Sequence, residues 1–137
     1  MKLGYAQEVI TPSLDRPVYL AGFGQDRRAE TVHDDLYVRV LALSDDETTL
    51  VLCALDLVGF FQNDVREVIQ RVRVENPQVQ VVISSTHTHH GPDTMGLWGP
   101  DDKTPGVDAD YLADLKEKIV QTISNSLTLE FEVTAIK

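Results

Sequence analysis

The chain has four histidines, and three of them, His87, His89 and His90, fall in the stretch SSTHTHHGPDTMGLWGP at residues 84–100. Neutral imidazole is a common zinc ligand, and a catalytic zinc takes three protein ligands and keeps a further position for a water whose pKa falls to about 7. Side chains alternate along a strand, so His87 and His89 are expected on one side, aimed at a common volume, with His90 on the other. Two imidazoles do not complete a catalytic zinc site. Asp56, at the end of the apolar run TLVLCALD, is a further ligand, or an acceptor that fixes the tautomer of a liganding histidine, or a hydrogen-bonded cap on the following turn. Asp56 is also the stronger candidate for a catalytic acid, because a carboxylate there needs a partner to offset its desolvation. An isolated His-x-His is a weak motif, and its default reading is a pair of hydrogen-bonded loop-edge histidines without a metal. Here the cluster ends a strand and precedes Gly91-Pro92 and a long loop, the position of a site wall.

The elements that must hold these groups can be read in order. KLGYAQEVI forms a first strand ended by Thr11-Pro12, and RPVYLAGFG a short second element in which Gly22 and Gly24 allow close backbone packing. DLYVRVLALSDDETTLVLCALDLVGF reads as a hairpin turning at SDDE, its second run apolar enough to be buried on both faces. In NDVREVIQRVRVEN, Val65, Val68, Ile69 and Val72 make one helical stripe, with Asn63 as the cap and Asn76-Pro77 as the stop. QVQVVISST is the next strand, so residues 48–86 form a right-handed strand-helix-strand unit with its two strands parallel. Asp56 and His87 lie at the C-terminal ends of those strands, the edge where ligands gather in open α/β sheets. The Gly91–Val107 loop is long enough to suggest function. Asp108 caps a helix running to about Ser126, with Leu112, Leu115, Ile119 and Ile123 inward, and LTLEFEVTAIK is a last strand. The expected fold class is α/β: a mixed β-sheet with a strand-helix-strand unit and flanking helices in a single domain over 1–137.

Composition narrows the partners. Twelve Lys and Arg against 22 Asp and Glu leave a charge of -10, and the basic residues form no stripe. Nucleic acid and strongly anionic membranes are poor candidate partners on that ground. The opening MKLGYAQEVITP has no apolar leader, and no apolar run reaches the ~18 residues of a membrane span. As given the chain reads as cytoplasmic, or as secreted if a leader was removed. Cys53 is the only cysteine, so no intrachain disulfide forms, and it reads as a small buried hydrophobe.

Two zinc patterns match poorly. Metallo-β-lactamase-like hydrolases carry T-H-x-H-x-D-H, but THTHHGP has Gly91 and Pro92 where Asp and His are required. An amidohydrolase barrel places His-x-His on its first barrel strand, whereas several strands without alternating helices precede it here. STHTHHGPD resembles instead the THTHSGP signature of the neutral/alkaline non-lysosomal ceramidases, zinc-dependent amide hydrolases. GYAQEVITP resembles that family's opening strand, LAGFG its methionine-glycine-tyrosine segment, VHDDLYVRVLAL its histidine-led strand, and CALDLVGF the strand that brings an aspartate toward the site. The match runs in order over nearly the whole chain.

The resemblance implies that His87 ligates Zn2+ and that His89 contacts the substrate hydroxyl near the scissile amide, zinc acting as Lewis acid and activator of the attacking water. It implies an N-terminal portion of a longer ceramidase-like hydrolase domain that cleaves the amide bond of an N-acyl lipid such as ceramide. The remaining ligands, a second histidine, a glutamate and a tyrosine, come from the rest of the parent chain, beyond position 137, so this segment alone should bind zinc weakly and catalyse nothing. His90 replaces the family's serine and Asp93-Thr94 its Gly-Gly, which leaves a different N-acyl or ester substrate open. The alternative is a non-catalytic binding or assembly domain that keeps the fold. Among the other candidates, His33 approaches the site or caps a strand, and Asp34 and Asp35 are solvated turn residues. Trp98 lines an acyl pocket or anchors its loop, and Arg27 and Arg28 meet an anionic group or stay at the surface.

Overall fold

The computed structural model describes residues 1–45, 47–128 and 130–132. The chain runs β1 (Lys2–Val9), β2 (Tyr37–Ser44), β3 (Thr49–Leu55), α1 (Gln62–Glu75), β4 (Val79–Ser85), α2 (Ala109–Thr128) and β5 (Glu130–Glu132). The strands form one sheet in the order β4-β3-β2-β1-β5. Only β3 and β4 are parallel, as the helical crossover between them requires. The expected mixed α/β sheet is therefore present. The β2–β3 hairpin closes through Asp45, whose Oδ1 accepts the backbone N–H of Glu47 at 3.0 Å and of Thr48 at 2.7 Å, a side chain standing in for a backbone turn.

Both helices lie on one face of the sheet. Val38, Val40, Val51, Cys53 and Leu55 point there and are packed with Val68 and Val72 of α1 and Leu115, Ile119 and Ile123 of α2. Each such side chain contributes about 1.5–3 kcal/mol on burial, which ties the ends of β3 and β4 to a rigid base. Among the described residues the opposite face has no helix over it: Leu52 is 40% exposed, Val82 52% and Phe131 62%. This corrects the expectation that β3 is buried on both faces. Its apolar run satisfies a core on one side and leaves an apolar surface on the other.

Local signals fared unevenly. Asp108 caps α2, its Oδ1 accepting the N–H of Asp110 at 2.9 Å and of Tyr111 at 3.1 Å. The helix runs two residues past the expected Ser126. Helix α1 begins two residues earlier than its expected cap allows: Phe61 occupies the N-cap position without a side-chain bond, and Asn63 lies inside the first turn. The residues 16–24 expected as a short second element make isolated bridges, Tyr19 with Arg28 and Leu20 with Pro92. The last expected strand is described for three residues, and its remaining residues, 133–137, lie outside the described ones. Lys116 of α2 reaches Asp64 and Glu67 of α1, and Arg71 pairs with Glu117 across the same helix interface. Among the described residues no helix is long and apolar enough to cross a membrane.

Candidate functional site

The chain leaves β4 at Ser85 but keeps to the neighbouring strand for two more residues. Thr86 N–H donates to the Leu55 carbonyl at 2.9 Å and His87 N–H to the Leu57 carbonyl at 3.0 Å. At His87 the backbone then turns left-handed, with φ 65°, a conformation costing about 1–2 kcal/mol for a residue with a Cβ. Strand alternation therefore does not align His87 with His89. The turn does so: the two rings meet edge to face with centroids 4.9 Å apart, and their Nε2 atoms stand 3.4 Å apart.

The protonation of the pair follows from its partners. His87 Nδ1 lies 2.7 Å from the Val58 carbonyl. A carbonyl only accepts, so Nδ1 carries the proton and Nε2 presents a lone pair. That is the arrangement of a metal-binding histidine, whose second nitrogen donates to a carbonyl or carboxylate. His87 thus fits zinc. His89 differs, because its Nδ1 is buried and has no hydrogen-bond partner among the described residues. With His87 Nε2 unprotonated, His89 Nε2–H is the donor between the rings, and His89 Nδ1 is an acceptor without a donor.

A cradle fixes the His89 ring. Gly22, at φ 81°, passes so close that a Cβ there would sit 2.4 Å from His89 Nδ1. The Phe23 ring lies against the same imidazole at a centroid distance of 4.6 Å. Arg27 Nη1 donates to the carbonyls of Gly22 at 2.8 Å and Ala21 at 3.2 Å. Sequence reasoning treated Gly22 as a packing residue and did not place Phe23 at the site. The signal available was an aromatic residue enclosed by two glycines.

Asp56 lies at the strand end, yet its bonds lead elsewhere. Its Oδ2 accepts Arg39 Nη1 at 2.6 Å and the Tyr37 N–H at 3.0 Å, with the Arg39 guanidinium over the Tyr37 ring at 4.6 Å. The strand-end carboxylate has the partner its desolvation requires, and that partner is on β2. His90 and Thr88 line a separate groove of about 600 Å³ with Leu14, Val18, Leu20 and His33. His33 is exposed and paired with Asp34 at 2.6 Å.

The 91–107 loop is folded around Asp93, which is buried. Its Oδ1 accepts the N–H groups of Met95 and Gly96, and its Oδ2 that of Trp98. The Trp98 backbone is thereby held in the loop, while Arg28 stays exposed and bonded to Asp26. Thr94 Oγ1 donates to the Gly59 carbonyl at 2.8 Å, fastening the loop to the segment that carries Val58. Burial pushes the Cys53 thiol up to about 12, so it is a core residue without nucleophilic character at neutral pH. Among the described residues no three His, Cys, Asp or Glu side chains are grouped to hold a metal ion.

No protein-family model matches the sequence, and no curated protein matches it. Solved structures do match in fold. Neutral ceramidase from Pseudomonas aeruginosa superposes with a TM-score of 0.76 at 19% identity, over 94% of this chain and 22% of that one. A ceramidase complexed with C2 gives a TM-score of 0.77 at 21% identity, over 94% of this chain and 21% of that one. The chain has the fold of a part of neutral ceramidase, and it spans about a fifth of the length of the ceramidases it matches.

Proposed function

We propose that this chain is the part of a zinc-dependent amide hydrolase that supplies one metal ligand, His87, and one substrate-facing imidazole, His89. The observation that carries the reading is the 2.7 Å approach of His87 Nδ1 to the Val58 carbonyl, which assigns the proton to Nδ1 and leaves Nε2 facing His89 at 3.4 Å. The ceramidase fold supports the same reading and suggests the substrate class, an N-acyl lipid such as ceramide. On this account the chain is the N-terminal portion of a longer polypeptide, whose other segments add the remaining ligands.

A zinc ion bound at His87 supplies Lewis acidity and an activated water. The rest falls to the chain's own residues. Once His87 Nε2 is engaged, His89 Nε2–H no longer has it as acceptor, and it is free to donate to an oxygen of the substrate. Asp56 holds the strand end through Arg39 and Tyr37, so it acts as a positioning residue for the 56–58 segment. Val58 in turn fixes the His87 ring. Donors aimed at a reacting oxygen are each worth roughly 10²–10³-fold in rate.

A second reading, a non-catalytic assembly domain, is favoured by one feature, the helix-free sheet face carrying Leu52, Val82 and Phe131. The two readings separate in the natural full-length protein, assayed for fatty-acid release from an N-acyl sphingoid substrate. The hydrolase reading expects activity that a chelator removes and zinc restores, loss of both zinc and activity in His87→Ala, and retained zinc with a loss of roughly 10²-fold or more in His89→Ala. Full activity in His87→Ala would overturn it.

A further inference from the structure

The turn Ala21–Gly24 is bent in a way that its own stability does not explain. Phe23 has φ 63°, a left-handed conformation unfavourable for a side chain of its size. The residue is 79% exposed, so burial does not compensate for the strained backbone. Non-glycine residues held this way occur where the surroundings impose the conformation, and such places cluster at functional sites.

What the conformation achieves is contact with His89. The Phe23 ring stands against the imidazole at 4.6 Å with the planes inclined by 60°, within the range of favourable aromatic pairs. Gly22 closes another side of the imidazole, where no Cβ would fit. The turn is fixed from several directions. Arg27 holds the Ala21 and Gly22 carbonyls and places its guanidinium 5.1 Å from the Phe23 ring centre. Gln25 Nε2 donates to the Leu97 carbonyl at 3.0 Å, and Asp26 N–H to the Gly99 carbonyl at 2.8 Å. Among the described residues nothing hydrogen-bonds His89 Nδ1 to hold its ring. Packing must therefore do what the Val58 carbonyl does for His87.

We propose that Phe23 is a positioning residue for His89: its ring, clamped by Arg27, keeps the imidazole from rotating and directs Nε2 into the space it shares with His87 Nε2. The inference rests on the reading of His89 as the substrate-facing imidazole. It makes the aromatic ring at position 23, and not the bulk of the side chain, the feature that the site needs.

The test uses the natural full-length protein, zinc-loaded and labelled with ¹³C at histidine Cε1. Phe23→Gly removes the ring and also relieves the left-handed strain, so the melting temperature should hold or rise. Zinc content should stay the same, the His89 signal should shift and broaden, and kcat should fall at least tenfold with little change in KM. Phe23→Tyr should restore the signal and the rate, whereas Phe23→Leu should restore neither. A merely structural role would move stability together with rate. An unchanged His89 signal and unchanged kcat in Phe23→Gly, or full recovery in Phe23→Leu, would overturn the proposal. Failure of the hydrolase reading appears separately, as full activity in His87→Ala, and leaves the His89 signal of Phe23→Gly to decide the positioning role.

Discussion

Replacing Gly22 by alanine adds one methyl group where the chain has least room for it. The new Cβ would lie 2.4 Å from His89 Nδ1, 2.7 Å from Cγ and 2.9 Å from Cε1, all closer than carbon and nitrogen can approach. The backbone contributes a second penalty, since φ is 81° there and a left-handed alanine costs about 1–2 kcal/mol. Overpacking adds about 1–3 kcal/mol, which brings the expected total to about 2–5 kcal/mol. For a domain of this size that lowers the melting temperature by roughly 8–20 °C. A double-mutant cycle separates the two parts by thermal or denaturant unfolding. In a His89→Ala background the ring is gone, so Gly22→Ala should cost only the backbone part, leaving a coupling of about 1–3 kcal/mol. Gly24→Ala serves as the backbone control: φ is 149° there, which strains any side chain, but a Cβ meets nothing within 4 Å, so its cost should not depend on His89. If Gly22→Ala costs the same with and without His89, to within about 0.5 kcal/mol, then the cradle does not hold that imidazole.

Asp108→Ala should destabilise the fold by about 0.5–2 kcal/mol through loss of the α2 cap, read by urea unfolding, and Asp108→Asn should recover most of it. Burial raises the Cys53 thiol from 9.0 to about 12, so above the unfolded value the folded chain keeps a proton that the unfolded chain releases. Stability from this group is complete below about pH 9 and declines by at most about 1.4 kcal/mol per unit above it, and Cys53→Ala should flatten that slope between about pH 9 and 10. The bare sheet face should bind an apolar dye such as ANS in the 137-residue chain, and Leu52→Lys together with Val82→Lys should reduce that fluorescence without lowering helix content by circular dichroism.

Much of this architecture was legible because its signals are local. The alternation in 37–44 and 49–55, the stripe Val65, Val68, Ile69 and Val72, and the stop at Asn76-Pro77 each depend on a few neighbouring residues. Together they dictate the parallel β3–β4 pair and bring His87 beside Val58. The coverage of the two sheet faces was not legible, because the composition of β3 is the same whether one face or both are packed. The convergence of His87 and His89 was expected from strand alternation, yet it comes about through a left-handed turn that the letters THTH do not announce. Asp56 illustrates the same limit. Its need for a partner could be read from the apolar run before it, but the choice of Arg39 depends on strand register. The cradle of Gly22 and Phe23 joins segments more than sixty residues apart, beyond the reach of any local pattern.

The proposed hydrolysis requires zinc on His87 Nε2. Anomalous diffraction at the zinc edge, on crystals of the natural full-length protein, locates the ion. A zinc ion is expected about 2.0–2.1 Å from His87 Nε2, with Nδ1–H still on the Val58 carbonyl. Zinc coordinated through His87 Nδ1, or held in the protein by residues that leave His87 out, would contradict it.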